Sequence, residues 1–154
     1  MKSPVSLMIR PVRRMLLVSL VLLELGCGPP VVMNGPVEPK NVRQITILNS
    51  DVHIPQSASN VWVYQTGGAE QKQMIRFDAP EADARSFAKV ILGTDLIPGR
   101  DAGLQNFSPK LDWWLQVYPM GADGGDSAEG YPARRLQLTT KGGKARVWLI
   151  SLDT

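Results

Sequence analysis

The sequence predicts an α+β domain of two layers, an antiparallel sheet of five or six strands with one main helix packed on one face. Three observations carry that expectation: a capped apolar stripe at helical spacing over 79–92, a glycine-joined hairpin over 135–152, and an element order of β, ββ, α, β, ββ. With 154 residues there is room for one ordinary domain, and 44% hydrophobic with 20% charged residues is a globular composition. One His and one Cys exclude a Cys/His zinc cluster and a disulfide framework.

Residues 45–48 are apolar and β-branched enough for a first strand, and Val61, Trp62, Val63 and Tyr64 for a second. Past Gly67 and Gly68, residues 73–77 offer a third, so 61–77 reads as a hairpin. Asp78 then stands three residues ahead of Glu81, the capping-box spacing, with Pro80 in the first turn, where a missing N–H costs little. Ala84, Phe87, Ala88 and Ile91 follow at i, i+3, i+4 and i+7, and Gly93 suits the left-handed residue that ends a helix. A helix is predicted over 79–92.

Residues 94–109 read as loop, and 111–118 are apolar and aromatic enough for a fourth strand. Four glycines and two prolines make 119–133 a long mobile excursion. Residues 135–139 alternate, Lys141, Gly142 and Gly143 turn, and 145–152 is apolar on both faces, which places that strand centrally. With one helix available, part of the second face is expected to be exposed or overlaid by loops. A partner is expected there.

Ahead of this domain, assigned to 42–154, the first fourteen residues carry Lys2, Arg10, Arg13 and Arg14 and no acid, and 15–23 is apolar except for Ser19. Nine helical residues at about 1.5 Å each cover less than half of a roughly 30 Å hydrocarbon core, so the run cannot span a bilayer. It suits the apolar core of an export signal, and 1–26 reads as a signal peptide with Met1, Met8 and Met15 as alternative starts. Leu23, Glu24, Leu25, Gly26 and Cys27 resemble the lipobox of bacterial lipoproteins. Glu24 stands where that family usually has Leu. The resemblance implies cleavage before Cys27, a lipid such as palmitate on its thiol, and a membrane-anchored, extracytoplasmic place in the cell envelope. Gly28 after the Cys resembles lipoproteins sorted to an outer membrane. Residues 27–41, rich in proline, read as a flexible tether with a reach of about 40 Å.

The formal net charge is +3, but the leader holds four basic residues and one acid, which leaves 13 of each from Cys27 onward. A neutral mature chain gives no support for a nucleic-acid partner.

Four groups of residues are candidates for chemistry. Gly125, Asp126 and Ser127 resemble the Gly-Asp-Ser block of GDSL-type esterases, whose serine needs a histidine downstream. The single histidine, His53, lies upstream, so no catalytic set is read and a small hydrolase is the least favoured role. Asp123, Asp126 and Glu129 offer hard oxygen ligands without the EF-hand spacing, and no metal or cofactor is expected. Trp113 and Trp114, if in a strand, point to opposite faces, one into the helix-covered core and one open to a sugar ring or a protein. Arg134, Arg135, Lys144 and Arg146, with Lys141, make the last hairpin a basic patch, while 77–129 hold nine acids and four bases. The expected role is a lipid-anchored, non-enzymatic envelope protein that acts as a protein-binding or accessory module. A glycan- or wall-binding module using an exposed Trp is the alternative.

Overall fold

In the computed structural model, which describes residues 31–107, 109–127 and 133–153, six strands form one antiparallel sheet. They are β1 (Val31–Pro36), β2 (Ser59–Thr66), β3 (Gln71–Pro80), β4 (Asp123–Asp126), β5 (Ala133–Lys141) and β6 (Lys144–Asp153), in the order β1-β2-β3-β6-β5-β4. One main helix, α1 (Glu81–Leu92), follows β3. The α+β class and the strand number therefore agree with the sequence. Residues 1–26, read above as a signal peptide, and Cys27 lie outside the described residues.

β3 and β6 are central and pair along their whole length, from Gln71 opposite Asp153 to Pro80 opposite Lys144. β6 is buried on both faces, as its unbroken apolar run predicts: Ala145, Val147 and Leu149 join one core cluster, Trp148 and Ile150 the other. Gly142 (φ 60°) and Gly143 (φ 76°) make the two-residue turn into β6, and two consecutive left-handed residues are strained for anything with a Cβ.

α1 lays Ala84, Phe87, Ala88, Ile91 and Leu92 against Val63, Ile75, Phe77, Leu138, Val147 and Leu149. Phe77 and Phe87 meet edge to face, centroids 5.3 Å apart. The helix ends as expected at Gly93, whose φ is 70° and whose N–H donates to the Lys89 carbonyl at 2.9 Å. Its start differs from expectation. β3 continues through Pro80, no side chain caps the first turn, and the Glu81 N–H donates instead to the Gly143 carbonyl at 3.0 Å. The turn of the neighbouring hairpin takes the place of the Asp78 cap.

Four further segments depart from the prediction. Residues 45–48 form no strand: they follow a 3-10 turn (Pro39–Gln44) and share only a single bridge, Thr46 to His53, while Val42, Ile45, Ile47 and Ile54 fill the helix-side core. Within the 27–41 segment read as tether, Val31–Pro36 pair with β2, from Val31 opposite Thr66 to Pro36 opposite Trp62. An edge strand tolerates a proline because one side of its ladder is unused.

Residues 111–118 are not a strand either. They turn back on themselves, with the Trp114 N–H donating to the Leu111 carbonyl at 2.9 Å and the Gln116 side chain to the same oxygen at 2.7 Å. Together with a 3-10 turn (Leu104–Asn106) they form a strap over the second face, where Ala102, Leu104, Trp114 and Leu115 cover Tyr64, Met74, Trp148 and Ile150. The expected excursion 119–133 contributes β4 to the sheet edge, and 128–132 lie outside the described residues.

Candidate functional site

On the strap side of the sheet the side chains stand in rows set by the strand register. Trp62, Arg76, Trp148 and Gln137 make one row, Asp78, Arg146 and Thr139 the next, and Pro80, Lys144 and Lys141 the last. The strap covers the first row. The last two rows line a groove of about 810 Å³, where Pro119 is the strap's contribution to the wall and Trp148 lies at the inner end.

The rim of this groove is held by charge. Arg146 grips Asp78 with two hydrogen bonds, Nε to Oδ1 at 2.6 Å and a terminal nitrogen to Oδ2 at 2.9 Å, and the Asn60 amide donates to Oδ2 at 3.0 Å. Asn60 holds this position with a left-handed backbone (φ 50°), which asparagine tolerates better than most residues. Arg76 donates to the Trp113 carbonyl at 3.0 Å and to the Asn60 Oδ1 at 3.2 Å, and its guanidinium lies 5.4 Å from the centre of the Trp62 ring. Trp113 stacks on the same Trp62 at 5.9 Å, so arginine and two indoles form one packed unit.

Burial pushes the Asp78 carboxyl up, but the hydrogen bonds from Arg146 and Asn60 and the charges of Arg146 and Arg76 outweigh it and hold the group below the ordinary carboxylate range. Burial lowers Arg76, with the nearby Arg146 charge adding to the effect and Asp78 opposing it. Because the Asp78 value is depressed on folding, its stabilisation is complete above the unfolded value of about 3.9 and is lost as pH falls through the folded value. Asp78→Asn should therefore cost about 1–2 kcal/mol at pH 7. In urea unfolding across pH, the gap between wild type and variant should stay constant above about pH 5 and shrink below about pH 4. A gap independent of pH would show that the charge of Asp78 contributes nothing.

The structure separates several residues that the sequence grouped. Trp114 is buried in the strap, its indole N–H donating to the Leu104 carbonyl at 3.1 Å, and Trp113 packs edge-on against it at 5.8 Å. Neither enters the helix-side core, because a turn does not alternate sides as a strand does. The tryptophan lining the groove is Trp148.

The basic residues do not form one patch. Lys144 and Arg146 lie at the groove with Lys141. Arg134 is at the other end of β5 and on the helix side, donating to the Leu48 and Asn49 carbonyls at 3.1 and 3.2 Å, and burial lowers its pKa. Arg135 pairs with Asp126 at 3.7 Å and sits over Phe107. Antiparallel strands put sequence neighbours on opposite faces and the two ends of a hairpin far apart.

The loop carboxylates are committed to arginines, Asp123 to Arg85 at 2.8 Å and Asp126 to Arg100, and Glu129 lies outside the described residues. Among the described residues no group of three His, Cys, Asp or Glu is placed to hold a metal ion. Ser127 accepts a hydrogen bond from the Arg134 N–H at 3.1 Å, whereas His53 borders a depression beside Phe87 and Val90. No hydrogen bond joins the two among the described residues. No helix among the described residues is long and apolar enough to cross a membrane.

No family model, curated protein or solved structure matches the chain. The groove is thus interpreted from its own chemistry. Two determinants of this side of the sheet escaped the sequence reading. Asp78 resembles a helix cap until its partner 68 residues away is known. Gln137 looks like an outward polar residue between Leu136 and Leu138, yet it is fully buried.

Proposed function

We propose that this chain is a lipid-anchored, non-enzymatic protein of the cell envelope whose domain docks another protein. The observation that carries the proposal is the position of Cys27, the only thiol, directly behind an export-type apolar run and four residues ahead of β1. The leader 1–26 exports the chain, an acyl group on Cys27 holds it to a membrane, and Gly28 favours the outer one where two membranes exist. The domain then presents a groove whose rim residues hold one another in place, a surface prepared for binding.

Labelled palmitate should enter the wild-type protein, and Cys27→Ser should abolish both the label and membrane fractionation. Failure of wild type to take up label, or equal labelling of the variant, would remove the anchor from this reading.

A second reading, a glycan-binding module, draws on the hydroxyls of Thr139 and Ser59 in the groove, whose inner end is closed by Trp148, 8% exposed. Retention on insoluble cell wall distinguishes it from protein docking.

A further inference from the structure

We propose that the groove beside the β5–β6 turn receives an acidic segment of the partner protein, the side chains of Lys141 and Lys144 meeting its carboxylates. The inference rests on the protein-docking reading and names the chemistry of its partner.

Lys141 and Lys144 stand directly opposite each other across the hairpin, both exposed, with no acid within ion-pair distance among the described residues. Like charges in facing positions of a sheet oppose pairing. By contrast, Arg85, Lys89, Arg100 and Arg135 each have a carboxylate partner, and Arg76, Lys110 and Arg134 each donate to a backbone carbonyl. In the groove the one lining acid, Asp78, is already engaged by Arg146, so the two lysines leave an excess of positive charge over a floor that includes Trp148 and Pro80. A volume of about 810 Å³ accommodates several side chains of a bound segment. The strands bordering the groove, β3, β6 and β5, are all interior to the sheet. β4, however, pairs with β5 only as far as Leu138, so the outer backbone edge of Thr139–Lys141 has no strand neighbour among the described residues, while the groove itself is lined by side chains.

The position of the anchor argues against the lipid surface as occupant. Val31 opens β1 opposite Thr66, the end of the sheet that also holds Gln71 and Asp153. The lysines are at the other end of β6, whose ten residues span about 30 Å. The chain from Cys27 to Val31 reaches at most about 14 Å. An acylated Cys27 therefore attaches the membrane to the end of the sheet remote from the groove, and the groove opens toward molecules away from that bilayer.

The test uses the full mature chain, acylated and held in uncharged phosphatidylcholine nanodiscs. Fluorescein-labelled hexaglutamate is the probe, with polygalacturonate and phosphatidylglycerol vesicles as competitors. Hexaglutamate should bind with an affinity that falls as salt rises, and Lys141→Glu/Lys144→Glu should weaken it at least tenfold. Lys40→Glu/Arg43→Glu, an equal charge change on a turn that does not line the groove, should leave binding within twofold. No binding, or equal loss in both double variants, overturns the proposal. Stronger binding of polygalacturonate or of the vesicles overturns it in favour of a glycan or a lipid surface.

Photo-crosslinking in intact membranes separates failure of the groove from failure of docking. Adducts formed from a benzoylphenylalanine at Val90 but not at Thr139 would leave docking in place and overturn the groove. Adducts at neither position would overturn both, and adducts at Thr139 that hexaglutamate suppresses support the proposal.

Discussion

Gln137→Leu is expected to lower the unfolding free energy by about 3 kcal/mol and to release the strap from the sheet ahead of global unfolding. The Gln137 side chain is fully buried and makes three hydrogen bonds to backbone: its amide nitrogen donates to the Arg100 and Asp123 carbonyls at 2.9 and 3.0 Å, and its oxygen accepts from the Ala102 N–H at 2.9 Å. One residue thus fastens the start of the strap, the strap's return into β4, and the sheet itself. Leucine keeps the approximate volume and leaves three backbone groups without a partner, each costing about 1–3 kcal/mol if water cannot reach it. In hydrogen exchange the amides of Ala102 and Trp114 should lose protection while those of β3 and β6 retain it, and Trp114 fluorescence should shift to the red. Equal acceleration of every amide would show that the glutamine supports the whole domain and not the strap.

Phe77→Ala should act differently, costing about 3–5 kcal/mol in one cooperative transition. Phe77 is fully buried in the middle of β3, edge-on to Phe87 of α1, and truncation opens a void where the helix meets the sheet. The void cannot close easily, since Ile75 and Ala79 on the same strand face are fixed by pairing with β6. The urea midpoint should fall with little change in the denaturant slope, and Phe77→Leu should lose less. A cost under about 1 kcal/mol would mean that helix and sheet collapse readily onto the space.

These two residues mark the limit of what the sequence makes legible. The stripe of Ala84, Phe87, Ala88 and Ile91 and the hairpins on either side of it are local patterns: period 3.6, period 2, and glycine turns. The structure has them close to where they are expected. The strap is the opposite case. Its aromatics suggested a strand because residues that cover a sheet and residues that belong to one are equally apolar.

β4 was missed for a related reason. Gly124 and Gly125 weigh against a strand, yet a Cβ on Gly124 would collide with the Arg100 carbonyl and one on Gly125 would stand 2.9 Å from the Leu92 Cδ1. There the glycines allow close approach and do not mark a flexible loop. The candidate site was legible only in part. Lys144 and Arg146 were singled out and do lie together, but Arg134 and Arg135 are directed elsewhere, and the Asp78–Arg146 pair depends on a contact that no short-range pattern reveals.

The order in which the strands appear has a bearing on synthesis. β6 is the last of the six to be made, and both β3 and β5 pair with it. Until residues 144–153 emerge from the ribosome, the nascent polypeptide holds one three-stranded fragment and one two-stranded fragment with no shared neighbour, and such long-range closure is slow. The six-stranded sheet can therefore close only once residues 144–153 have left the ribosome.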